Sequence, residues 1–280
     1  MKNYFVSHQK QVMGTSLFVL LLIRFVDGLL PKTIWVDKLT LSYVYVTVTF
    51  VLLALIIWLD RENLVNLNID QTFISFFAIS TILFSTWFSL EIIGSIALGI
   101  AFTIWIWSAL FGIVIGIIAV IVLVLRRSQK LILKANQGPI AFLKSTFFGI
   151  LPVLIFRFLL NKNGLSIFTQ GFSEVEKTGQ IAWIIVFGLW GVVFEEMLFR
   201  GMFWSFLRER NFGDGKILII QAVVFWICHL NLISRSSFWF GLPLMSLWLG
   251  FLVKRYKSLT PSTITHFAYN FISVIMRTAM

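Results

Sequence analysis

Apolar runs long enough to cross a bilayer recur along this chain, and they limit its fold before any residue chemistry is considered. The longest, 92–125, runs from IIGSIALGI to IVLVL without one charged residue. A helix needs about 20 such residues to cross the hydrocarbon core. Surplus length is taken up by tilt or by a break, here near Gly112 or Gly116. Runs of this kind predict spans at 11–30, 40–59, 72–90, 92–125, 140–160, 180–207, 217–233, 238–253 and 262–277. The last two are short enough to lie partly in the interface. Only helices and closed barrels satisfy their backbone polar groups in lipid. The expected fold is therefore all-α, a polytopic transmembrane helix bundle of about 8–9 membrane helices.

Composition agrees. The 280 residues are 59% hydrophobic and 12% charged, against about 25% charged in a soluble domain. The length therefore predicts one bundle rather than two soluble domains. The net charge of +11 is not gathered into a stripe. Lys and Arg fall in short connections between apolar runs, so the expected anionic partner is the headgroup layer of the lipid bilayer, and no nucleic acid. With the N-terminus inside, the inner connections hold more Lys and Arg than the outer ones, and RRSQKLILK, 126–134, dominates that bias. It also divides the chain. Residues 1–139 carry N-terminal spans of unassigned role, and 140–280 carry the reactive residues. The first run, VMGTSLFVLLLIRFVDGLL, lacks a small-residue cleavage site and reads as a membrane helix. The polar stretch GFSEVEKTGQ, 171–180, is expected to be an outer loop. The single cysteine, Cys228, allows no internal disulfide.

Against this background, VFEEMLFRGMF, 193–203, stands out. An ionisable side chain at mid-bilayer costs about 2.5–3.5 kcal/mol on insertion scales and is a functional candidate by default. Glu196 and Arg200 are i and i+4, on one helix face, and predict a buried ion pair. Glu195 points about 100° away and has no partner in its own helix. This assigns Glu196 and Arg200 to structural support and leaves Glu195 as the reactive carboxylate. The packing-only alternative has both acids pinning helices.

Of three histidines, His8 lies in the polar N-terminal tail and reads as solvated. His229 closes FWICH, with Phe225 one turn earlier. His266 opens HFAYN, with Asn270 one turn later. Two chemistries fit the set. A carboxylate and a neutral imidazole deprotonate water, while a second imidazole and an amide donate to an oxyanion. Alternatively Glu195, His229 and His266 are a zinc-type ligand set with water in the open position. The wide separation of the two histidines excludes an HExxH helix.

In order along the chain, EEMLFR (195–200), FWICH (225–229) and HFAYN (266–270) resemble the motifs of the CAAX-protease and bacteriocin-processing (CPBP/Abi) group of intramembrane proteases. The resemblance covers about 180–275 and none of 1–140. It implies an endopeptidase that hydrolyses a membrane-associated protein or peptide substrate, in a multi-pass protein of a bacterial cytoplasmic membrane. It also implies that Glu195 activates water with His229, that His266 and Asn270 stabilise the oxyanion, and that Glu196 and Arg200, with Phe225, hold the site's shape. The group is commonly labelled metalloprotease, so zinc on Glu195, His229 and His266 belongs to the expectation, beside a metal-free glutamate-activated water.

Other polar residues have plainer readings. Arg24 and Asp27, i and i+3 near a span end, are expected to brace one another or snorkel. Arg157 is expected to reach the headgroups, and Glu91 to mark a turn. Two rival functions remain. One is a non-catalytic immunity or sensor-regulating membrane protein. The other is a transporter or proton relay, against which the chain shows no internal repeat.

Overall fold

In a computed structural model of the chain, the described residues are 2–29, 67–70, 72–77, 79–80, 83, 139–159, 164–177 and 180–278. Most of them are helical, and there is no strand among them. The expected spans at 40–59 and 92–125, the RRSQKLILK connection and Glu91 lie outside the described residues, as do the side chains of His8, Asp27 and Arg157.

The helices are α1 (Lys2–Leu29), α2 (Pro139–Leu159), α3 (Gly164–Lys177), α4 (Ile181–Glu196), α5 (Trp204–Arg208), α6 (Asp214–Ile227), α7 (Ser236–Trp239), α8 (Gly241–Tyr256) and α9 (Thr260–Thr278). A π-helical segment, Met197–Phe203, joins α4 to α5, and a 3-10 turn, Leu230–Leu232, follows α6. Among the described residues no single helix is long and apolar enough to cross a membrane. The expected sixth span is instead one continuous run from Ile181 to Arg208, made of α4, the π segment and α5.

Two expectations are corrected. GFSEVEKTGQ is not an open loop, because α3 extends through Lys177. Its Glu174 and Lys177, three residues apart, pair at 2.8 Å across one helical turn. His229 is not inside a helix either. α6 stops at Ile227, and His229 has left helical geometry, at φ −118° and ψ 26°. Helix ends leave carbonyls without partners. Here the His229 ring supplies one, with its Nδ1 2.7 Å from the Phe225 carbonyl.

α9 is the central element and packs against α2, α3, α4 and α8. α6 packs along α8, while α1 lies against the π segment and the 3-10 turn. Close approach depends on small residues, as is common between membrane helices. A Cβ on Gly201 would stand 3.2 Å from the Leu67 carbonyl, so glycine lets 67–70 lie on the π segment. There Asn68, with φ at 56°, donates from Nδ2 to the Arg200 carbonyl (3.1 Å) and accepts from the Leu259 amide (2.8 Å). Asn tolerates this left-handed conformation better than most residues. Next to it, Asp70 accepts hydrogen bonds from Ser258, Thr260 and the Phe73 amide. This ties the start of α9 to the turn before the helical residues at 72–77.

Candidate active site

The π segment holds Arg200 in a fully buried position, with Glu196 beside it in α4. Arg200 Nη1 donates to Glu196 Oε1 at 3.2 Å, as the i, i+4 spacing predicts. Its Nη2 donates to Ser246 Oγ on α8 at 2.9 Å. The guanidinium also sits over the Phe225 ring, 4.4 Å from its centre. Glu196 takes two further bonds from α9: the Ser262 hydroxyl donates to Oε2, and His266 Nδ1 lies 2.8 Å from Oε1. This brace therefore joins α4, the π segment, α8 and α9. Ser246 and Ser262 carry no sequence signal of their own, since only the packing brings them to the pair.

Glu195 lies on the other side of the same turn. His229 Nε2 is 3.6 Å from its Oε1, and His266 Nε2 is 3.6 Å from its Oε2. Both imidazoles thus converge on this carboxylate. Phe225 packs between them, with ring centres 4.4 Å from His229 and 5.9 Å from His266. Asn270, one turn after His266, is half-buried and makes no hydrogen bond with a described residue.

Arg24 has contacts that its sequence reading did not anticipate. It reaches from α1 to the site, and its Nη2 donates to Glu195 Oε1 at 2.7 Å and to His229 Nε2 at 2.8 Å. Glu195 is therefore ion-paired across helices, although it has no partner in its own helix. A cation near the end of an apolar run is a signal, but nothing in the sequence points it at Glu195.

Hydrogen bonding fixes the ring tautomers. The Phe225 carbonyl only accepts, so His229 Nδ1 carries the proton and donates to it. Arg24 only donates, so His229 Nε2 is the acceptor. Glu196, ionised beside Arg200, likewise takes a proton-bearing Nδ1 from His266. The Nε2 atom of each ring then lies 3.6 Å from a Glu195 oxygen.

A cation already stands among the residues of the zinc expectation. A metal joining Glu195 Oε1 to His229 Nε2 would need the place of Arg24 Nη2, which already engages both atoms with positive charge.

Residues 177–272 match the family model described as Type II CAAX prenyl endopeptidase Rce1-like. The match carries the CPBP resemblance and spans all three motifs, from Glu195 to Asn270. It does not reach α1 or Arg24. Neither a curated protein nor a solved structure matches the chain.

Proposed function

We propose that this protein is an intramembrane endopeptidase that hydrolyses a peptide bond in a membrane-associated protein or peptide by glutamate-activated water. The observation that carries the reading is the convergence of two imidazole Nε2 atoms on one carboxylate, each at 3.6 Å. An Rce1-like match over the same residues supports it.

Roles follow from the hydrogen bonds already described. Glu195 Oε1 is held by Arg24, whereas Oε2 accepts no hydrogen bond from a described residue. Oε2 is then the atom that takes the water proton, and the hydroxide attacks the substrate carbonyl. His266 Nε2, 3.6 Å from Oε2, accepts a proton in turn and passes it to the leaving amine. Once protonated, His266 also donates to the oxyanion, together with the Asn270 amide. His229, capped onto the Phe225 carbonyl, faces the other edge of Glu195. Glu196, Arg200 and Phe225 hold the shape of the site.

The membrane setting is part of the proposal. Exposed apolar residues form stripes at helical spacing. Phe18, Leu22 and Val26 line α1, and Leu143, Phe147, Leu151 and Ile155 line α2. Apolar patches of this extent are uncommon on water-facing monomers, and lipid is the simplest cover. The charge bias between connections favours an inside N-terminus, and the CPBP resemblance implies a bacterial cytoplasmic membrane.

Glu195→Gln removes the base and nearly preserves shape. It is expected to abolish cleavage of peptides captured from the host membrane while leaving the chain folded. Retention of full cleavage would sink the mechanism. The Arg24–Glu195 ion pair favours a second reading, a non-catalytic immunity or sensor-regulating protein whose carboxylates pin helices. A cellular phenotype that survives both Glu195→Gln and His229→Ala would select it.

A further inference from the structure

One nitrogen of Arg24 holds both the proposed base, Glu195, and its neighbour His229. Nη2 stands 2.7 Å from Glu195 Oε1 and 2.8 Å from His229 Nε2. Arg24 is itself buried, at 7% exposure, so water does not screen these contacts. It comes from α1, outside the segment 177–272 that matches the family model. Charge accounting also points to it. Glu195 and Glu196 are adjacent acids, and Arg200 bonds only to Glu196 of the two. An unpaired buried carboxylate is costly, and a paired one much less so.

We infer that Arg24 is a positioning residue for the proposed hydrolysis. It fixes Glu195 and His229 relative to one another and turns Glu195 Oε2 toward the water. This inference rests on the hydrolytic reading above and adds the N-terminal helix to the reaction. Arg24 touches no reacting atom. It acts by holding one carboxylate oxygen so that the other stays available, and by directing the His229 lone pair. α1 thereby completes a site whose other groups all lie between Glu195 and Asn270.

The test starts without substrate. The full-length chain, labelled with nitrogen-15 at histidine, is placed in detergent micelles. The His229 ring resonances are compared among wild type, Arg24→Ala and Arg24→Lys. Arg24→Ala is expected to move the His229 Nε2 resonance, and Arg24→Lys to restore it in part, while the Nδ1 proton on Phe225 persists. An unchanged His229 spectrum in a folded Arg24→Ala chain overturns the inference. Should Arg24→Ala fail to fold, Arg24→Gln takes its place, with the same resonance required to move.

A second arm uses a quenched-fluorescent peptide library tethered to liposomes by an acyl chain. Arg24→Ala is expected to lower kcat at least tenfold with KM within about twofold, and Arg24→Lys to recover part of kcat. Such a split marks loss of stabilisation that is specific to the transition state. A kcat within twofold of wild type, or a loss confined to KM, overturns the inference. Glu195→Gln is run alongside. Full activity in that variant defeats the hydrolytic reading itself, whereas its inactivity beside an active Arg24→Ala defeats only the role of Arg24.

Discussion

At the scale of single residues, Glu196 and Arg200 are the most heavily constrained pair in the described chain. Both are wholly buried, and their charged groups are bonded from three helices. Removing one member leaves the other charged with no counter-ion, which costs about 3–5 kcal/mol in buried pairs. Arg200→Leu is expected to destabilise by that amount in unfolding titrations in micelles. Ser262→Ala removes one hydrogen bond to a carboxylate and should cost less, about 1.5–3 kcal/mol. An Arg200→Leu chain as stable as Ser262→Ala would show that the pair does not brace the fold. Arg200→Lys is not conservative here, because a single ammonium cannot reach Glu196 and Ser246 while lying flat on Phe225.

At the scale of helices, stability depends on close approach and on how helix ends are tied. α6 and α8 meet where Gly250 faces Gln221, whose Nε2 donates to the carbonyls of Leu218 and Ser246. A methyl on Gly250 meets that buried amide directly. Gly250→Ala is expected to cost about 1–3 kcal/mol through overpacking, visible as a lower melting temperature. α2 carries Pro152 in its interior. Proline lacks the N–H that would continue the ladder, and on the same turn the Gly149 carbonyl accepts from Trp248 Nε1 at 3.0 Å. At the start of α6, Asp214 bridges Lys257 at 2.6 Å and Arg208 at 3.4 Å. Partial burial raises the Asp214 carboxyl, but the Lys257 hydrogen bond and charge, helped by Arg208, outweigh it and hold it below the usual carboxylate range. The sign follows from the lowered value. Its stabilising contribution is present above the unfolded carboxyl's pKa, about 3.9, and is lost as pH falls through the folded value. Wild type and Asp214→Asn should therefore differ in melting temperature near neutral pH and converge in acid. A gap that persists in acid would place the effect elsewhere.

At the scale of the whole molecule, the expected behaviour is that of a bilayer protein. The chain should stay in the membrane pellet through an alkaline carbonate wash and leave it only with detergent. Release by carbonate alone would contradict the membrane setting. How much of this could be read in advance depends on the range of each interaction. Helical spacing was enough for Glu196 with Arg200, and for the pairing of Phe225 with His229. It was not enough to show that the Phe225 carbonyl, as well as its ring, receives the histidine. That depends on α6 ending at Ile227, and no Gly or Pro beside that position announces the stop. The polar stretch at 171–180 read as a loop because polarity and loop are correlated, yet most of it continues α3.

By itself, the sequence determined that the described chain is helical, that Glu196 has a cation one turn away, and that Glu195 has no partner in its own helix. Those results follow from a 3.6-residue period and from the backbone's need for hydrogen bonds, both of which act over a few residues. Only the tertiary structure decided where Glu195 finds its partner. Arg24 is 171 residues away, on a helix whose sequence offers a nearer and plausible acid in Asp27. Ser246 and Ser262 joined the brace for the same reason. Contacts between helices depend on which faces pack and at what depth, and packing is a property of the assembled bundle rather than of any one segment.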